Sequence, residues 1–307
     1  MNNGKMKKIL ACGLFLSALA GTQALAADQP AGGEKMKGAS GTPVNSAISG
    51  GSIVPKGMFL NALNFSYRDK DSIEDDNGLG ARTMEQSIYI LKLRFSPWER
   101  VEIAFVPGYV HNELDSFGPM GSATVDGPTD FALGATYMFW TERDGNPFDA
   151  AITLSTNMPT GQNGTDHPAG NDVWSFGSKV GITKRWHPNH RIDWDAGINQ
   201  PTETGNQGVR KDTVLITTGS YHYVFNPNFD IGVEFTLENS EDWERNGADM
   251  KNGYTEMYVG PTANYVMPQW SMWFGAGLFF PVLRDYDIPT ASDDVRVELK
   301  LGKVWSW

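Results

Sequence analysis

The chain has 307 residues, of which 36 are acidic and 25 are basic, so its formal net charge is −11. Because nucleic acids are polyanions, a surplus of negative charge argues against a nucleic-acid partner. The single cysteine, Cys12, excludes an internal disulfide framework.

Residues 1–26 have the layout of a secretory signal peptide. Three lysines lie within the first eight residues, residues 9–20 are mostly apolar, and Ala24 and Ala26 frame a small-x-small cleavage site. The apolar stretch is too short for a transmembrane helix. We therefore predict an exported protein from which Cys12 is removed with the signal.

Residues 27–56 form a segment rich in Gly, Ser, Ala and Pro, and we predict that it is flexible. Two alternatives are open for it. The segment can hang in the periplasm, or it can fold into the following domain as a partial plug.

From residue 57 onward, apolar and polar residues alternate in blocks, as in β-strands with one apolar face and one wet face. The predicted strands lie near 57–68, 84–96, 100–111, 127–139, 148–158, 172–186, 191–199, 213–225, 229–239, 254–266, 270–281 and 295–307. Connections between these twelve strands alternate between short turns and long polar loops. Such asymmetry is typical of an outer-membrane barrel, whereas a soluble β-protein explains only the alternation.

Aromatic residues cluster where the predicted strands meet the short turns, as the interfacial girdle of a membrane protein requires. They are Trp98, Trp140, Trp186, Phe225, Trp270, Trp305 and Trp307. The sequence thus predicts an all-β fold, namely a transmembrane antiparallel β-barrel of about twelve strands over residues 57–307. Its short turns are periplasmic, its long loops are extracellular, and outer-membrane lipid surrounds it.

The alternate residues that are polar along each strand are predicted to line the lumen, because charged side chains are costly on the lipid face. The candidate pore-lining residues are Lys92, Arg94, Asp130, Lys179, Asp193, Asp195, His222, Asp230, Glu234, Glu256, Arg296, Glu298 and Lys300. Glycines on the same parity, such as Gly181 and Gly275, leave space there. This lining indicates either a narrow, selective pore or a lumen closed by acids and bases that pair across strands.

The last thirteen residues alternate strictly and end on an aromatic residue. Lys300, Gly302, Trp305 and Trp307 occupy positions that resemble the C-terminal signal by which bacterial outer-membrane barrels are recognised for assembly. The barrel-assembly machinery is therefore an expected partner.

Sequence motifs for catalysis or metal binding are missing. The chain has no GxSxG, P-loop or HExxH motif, and its five histidines show no metal spacing. The acidic loop 69–77 lacks the pattern of a calcium loop. We expect no catalytic residue, no metal and no cofactor.

Residues 127–200 resemble one known family. Gly127–Phe139 begins with an Asp-led strand, Ala151–Gly161 closes on Pro-Thr-Gly, and Trp174–Ile182 alternates with glycine. This order is similar to that of the outer-membrane transporter family named for the MetA pathway of phenol degradation. The resemblance implies a barrel for uptake of small, often aromatic, organic compounds.

These observations predict an outer-membrane channel of a Gram-negative bacterium for passive uptake of small molecules, including aromatic or other hydrophobic organics. The alternative is a closed structural or partner-binding barrel without transport activity. An N-terminal segment packed inside the barrel, or lumen acids all paired with bases, would favour that alternative.

Overall fold

The computed structural model describes residues 43–72, 82–116, 123–161, 169–170, 173–186, 189–202, 204–205, 208–287 and 291–306. The predicted signal peptide 1–26, residues 27–42 of the predicted segment, and Trp307 lie outside the described residues.

The described chain is almost entirely β-structure. In chain order the strands are β1 (Met58–Ser72), β2 (Arg82–Trp98), β3 (Val101–Val106), β4 (Gly108–Ser116), β5 (Ala123–Pro128), β6 (Phe131–Trp140), β7 (Asp149–Met158), β8 (Ser175–Trp186), β9 (His190–Pro201), β10 (Val209–Arg210), β11 (Val214–Asn226), β12 (Phe229–Ser240), β13 (Glu244–Arg245), β14 (Ala248–Asp249), β15 (Tyr254–Met267), β16 (Met272–Tyr286) and β17 (Ala291–Ser306). Two single-turn 3-10 helices, Glu142–Asp144 and Pro268–Trp270, lie in turns. No helix in the described ranges is long and apolar enough to cross a membrane.

The large sheet closes on itself. Every neighbouring pair in it is antiparallel, and β1 pairs with both β2 and β17, so the order returns to its start. β3 and β4 form one crossing that is interrupted at Pro107, which has no N–H to donate, and β5 and β6 form another that is interrupted at residues 129–130. The described strands therefore build twelve crossings of a closed barrel, which confirms the predicted fold.

Each strand separates an apolar outer face from a polar inner face. Leu154 is 60% exposed and Val233 is 51% exposed, whereas the neighbouring Glu234 has no exposed surface. Only a surface covered by lipid tolerates large apolar side chains over the whole circumference, so the outer face is the membrane face. The barrel wall thus turns its carboxylates and ammonium groups inward.

The two ends of the barrel differ. One end carries short turns, such as the two residues between β2 and β3 and between β11 and β12, and the other carries the loops. Several strands run further into the loops than predicted, so the connections 73–81, 117–122 and 287–290 are shorter than expected. The loops 202–213 and 241–253 contribute β10, β13 and β14 to a separate three-stranded sheet.

The predicted aromatic girdle surrounds the short-turn end. Trp98, Trp140, Trp186, Phe225, Trp270 and Trp305 are all exposed there, while Trp307 is outside the described residues. Trp186 stacks on His190 with a centroid distance of 5.7 Å, and Phe225 stacks on Phe229 at 5.8 Å. Aromatic rings at this level fit the membrane interface, where an apolar body and a polar edge are both accommodated.

Candidate functional site: a segment of the chain in the lumen

Residues 43–54 lie inside the barrel. Between Pro43 and Val54 the segment forms hydrogen bonds with inward side chains of β2, β3, β7, β8, β9, β12 and β17. Val44, Ile48 and Val54 are buried there. Since these contacts come from all around the wall, the segment crosses the lumen. At Gly57, with φ of +75°, the chain turns into β1.

Glu234 forms the first anchor of the segment. Its two carboxylate oxygens accept the backbone N–H groups of Val44 at 2.6 Å and Asn45 at 2.7 Å. His222 lies between this carboxylate and a second one, with Nε2 3.2 Å from Glu234 and Nδ1 2.9 Å from Asp230. All three wall side chains are fully buried, so the anchor is rigid and excludes water.

Three lysines of the wall donate hydrogen bonds to carbonyl groups of the segment. The Nζ atom of Lys300 donates to the carbonyl of Pro43 at 2.7 Å, and Lys92 donates to that of Ser46. Lys179 donates to the carbonyl of Ala47 at 3.2 Å and to the Ser49 hydroxyl at 2.9 Å. Carboxylates on N–H groups and ammonium groups on carbonyls together satisfy a backbone that has no sheet partner.

Gly50 and Gly51 of the segment lie against β8 and β9. Asp195 accepts the N–H groups of Ser49 at 2.7 Å and Gly50 at 3.1 Å, and Thr183 accepts that of Gly51 at 3.0 Å. A Cβ atom on Gly181 would lie 2.2 Å from the carbonyl oxygen of Gly50. The space that this glycine leaves on the wall is therefore taken by the segment.

The last anchor lies near the short-turn end. Glu102 accepts the N–H of Val54 at 2.8 Å and is held by Arg94 at 2.7 Å. The Ser96 hydroxyl donates to the carbonyl of Val54. Asp149 accepts the hydroxyl of Ser52 at 3.0 Å. These groups fasten the segment immediately before it enters β1.

The residues that the sequence predicted as pore-lining fall into three groups in the structure. Six contact the segment: Lys92, Lys179, Asp195, Glu234, Glu298 and Lys300. Six bond to other wall residues: Arg94, Asp193, His222, Asp230, Glu256 and Arg296. Asp130 accepts the N–H of Gly161 at 3.1 Å and so holds the base of the loop that follows β7.

Sequence reasoning missed several inward residues. Trp273 and Phe279 are buried on the inner parity of β16, and a Cβ on Gly302 would lie 2.1 Å from the Trp273 ring. Glycines at the paired positions of an inward aromatic residue are the signal that could have revealed them. Asp149 was left out because it lies at the very start of its strand.

Of the predicted assembly signal, Lys300, Gly302 and Trp305 are described. Lys300 points into the lumen, Gly302 lies against Trp273, and Trp305 is exposed with its Nε1 atom donating to Asn61 at 2.7 Å. Recognition by the assembly machinery stays a prediction. Among the described residues, His, Cys, Asp and Glu side chains form no group that could hold a metal ion.

These features define an outer-membrane β-barrel whose lumen is lined by charged side chains and crossed by a segment of its own chain. The chain belongs to the family described as "Putative MetA-pathway of phenol degradation", whose model matches residues 91–292. The family predicted from the sequence is thereby confirmed.

One solved structure supports the same architecture. An outer membrane channel from Pseudomonas putida F1 is similar, with a TM-score of 0.68, 14% identity, and coverage of 82% of this chain and 97% of that chain. At this identity the likeness shows the fold. The P. putida toluene transporter TodX has a TM-score of 0.45 and 7% identity over 83% of this chain and 91% of its own. No curated protein sequence matches the chain.

Proposed function

We propose that the protein is an outer-membrane channel for the passive passage of small molecules, and that residues 43–54 are its plug. The observation that carries this proposal is the way in which the segment is held. Its backbone lies on a ring of carboxylates and lysines that would otherwise face the lumen. When the plug leaves, the same groups line a wet path, and solutes cross by diffusion down their gradients.

Small organic compounds, aromatic ones included, are the solutes that we propose. The description of the family, which concerns phenol degradation, supports this choice. The inner face of β16 also carries two aromatic residues, Trp273 and Phe279, beside the charged groups of the lumen. Apolar and polar lining together suit compounds that have both a ring and a hydroxyl.

We also propose how the protein reaches the outer membrane. Residues 1–26 would direct export in a Gram-negative cell, and the terminal Trp305 and Trp307 would be read by the barrel-assembly machinery. The protein would act without a catalytic step or a cofactor.

A second candidate, a closed structural or partner-binding barrel, is favoured by the same packing. Segment residues fill the space beside the lumen glycines, and buried ion pairs such as Arg191 with Asp193 at 2.7 Å join neighbouring positions of the wall. In this function the segment would never leave, and the outer loops would form the working surface.

Single-channel conductance in a planar bilayer distinguishes the two functions. Full-length protein and a variant without residues 43–56 would be refolded and compared in the same salt. We expect rare openings of the full-length protein and a steady conductance of the shortened one. Silence of both, with a folded barrel shown by its heat-dependent migration in gels, would contradict the channel and favour the closed barrel.

A further inference from the structure

Two pairs of like charges lie directly opposite each other on neighbouring strands. Arg68 of β1 faces Arg296 of β17, and Glu238 of β12 faces Glu256 of β15. Like charges at directly opposed positions destabilise a sheet. Each pair therefore needs groups of opposite charge close by.

Neutralisation of the two pairs within the wall is incomplete. Asp293 lies 3.9 Å from Arg68, 2.7 Å from Arg296 and 3.5 Å from Lys70, so three cations share one carboxylate. The Arg296 guanidinium also lies over the ring of Tyr258, 4.2 Å from its centroid. One wall of this region therefore keeps an excess of positive charge.

The acidic pair receives neutral donors. The hydroxyls of Tyr258 and Tyr286 donate to Glu256 at 3.1 and 2.7 Å, and that of Tyr254 donates to Glu238. Hydroxyl donors stabilise the carboxylates but leave both negative charges in place. Arg284, the cross-strand partner of Glu256 on β16, forms its ion pair with Asp294 and not with this pair of glutamates.

Both pairs line one cavity of about 100 Å³, and its remaining wall includes the plug residues Asn45, Ser46 and Ala47. Ser46 is bound through its N–H to Glu298, a third carboxylate of the lining, at 3.3 Å. An apolar cavity of roughly 150 Å³ binds benzene, whereas this cavity is smaller and lined by charged groups. An aromatic solute therefore does not fit this cavity while the plug is in place.

We propose that this cavity binds a small aliphatic zwitterion of about the size of glycine. Its anionic end lies at the pair of arginines, and its ammonium group lies at the pair of glutamates. Glu238 and Glu256 are near the loop end of β12 and β15, so the cavity lies on the loop side of the lumen, against the plug. The ammonium group would also compete with Ser46 for Glu298, which links binding to release of the plug.

The role of the site in transport rests on the proposed channel. Binding to the site, however, is measured on the full-length protein with the plug in place. The probes are glycine, acetate and methylammonium, titrated against full-length protein in detergent and followed by ligand-observed NMR. We expect glycine to bind at least about tenfold more tightly than either single-charge probe, because each of those satisfies only one wall. Equal binding of acetate or methylammonium, or no binding of glycine, would overturn the proposal.

Two variants test which charged pair binds which end of the zwitterion. Arg68→Gln and Glu238→Gln should each weaken glycine binding about tenfold or more, with Arg68→Gln also abolishing the preference for glycine over methylammonium. Arg210→Gln, in the outer loop sheet beside Glu244, is the matched control and should leave the affinity unchanged. If Arg68→Gln does not fold, the Glu238→Gln result decides alone, and full glycine affinity in that variant refutes the site. Failure of the channel would appear separately, as silence of the shortened protein in the bilayer.

Discussion

Glu234→Gln should release the plug while leaving the barrel intact. The carboxylate accepts two segment N–H groups, at 2.6 and 2.7 Å, and the amide that replaces it has only one oxygen to offer. One hydrogen bond is lost and the other becomes neutral. Because hydrogen bonds to charged groups contribute about 1.5–3 kcal/mol and neutral ones about 1, the segment should lose about 2–5 kcal/mol of binding free energy.

A loss of this size matters because the docked segment is only marginally stable. Nine hydrogen bonds join its backbone to charged groups of the wall, and at about 1.5–3 kcal/mol each they contribute about 14–27 kcal/mol. Ordering about twelve residues costs about 12–24 kcal/mol of backbone entropy. The two terms are of similar size, and a weakening of about 2–5 kcal/mol should raise the ratio of open to closed channels by about 30- to 4,000-fold.

Single-channel recording of the full-length variant measures this ratio directly. The matched control is Glu256→Gln, which removes the same charge from the neighbouring strand, where the carboxylate is bound by tyrosine hydroxyls and not by the segment. The control should open as rarely as the unchanged protein. If Glu234→Gln opens no more often than Glu256→Gln, the carboxylate of residue 234 does not hold the plug.

Three further predictions concern the lumen and the lipid face. In the barrel without residues 43–56, Glu256→Lys should move the reversal potential in a salt gradient towards anion preference, and an unchanged potential would contradict its place on the pore wall. Gly302→Ala should lower the free energy of unfolding by about 1–3 kcal/mol, since its Cβ would overlap Trp273; Gly134→Ala, with 3.8 Å to the nearest atom, is the control and should be nearly neutral. Leu154→Arg should cost about 2–4 kcal/mol in urea unfolding from lipid bilayers if this exposed side chain lies near the bilayer centre, and a neutral effect would place it outside the hydrocarbon.

Much of the barrel could be predicted because the residue pattern that produces each strand is local in sequence. A strand between lipid and a polar lumen alternates with period two, so Phe229–Leu237 reveals both its conformation and its two environments. The strand ends were less predictable, because a strand that leaves the membrane no longer needs an apolar face. The predicted loops after β1 and β4 therefore began several residues too early.

The inward charges were identified for the same reason, but their partners were not. Period two places Glu234 and Asp195 on the inner face, yet nothing in the strand tells what lies opposite them across the lumen. The aromatic residues Trp273 and Phe279 break the polar pattern of that face, because close packing against glycines of the wall replaces contact with water.

The sequence by itself therefore determined the fold class, the number of strands, the membrane face and the set of inward charges, since each follows from side-chain alternation along a single strand. It left open whether residues 27–56 stay outside or enter the barrel. Only the tertiary structure places residues 43–54 in the lumen, because their binding depends on carboxylates and lysines that lie on seven different strands and meet only when the sheet has closed.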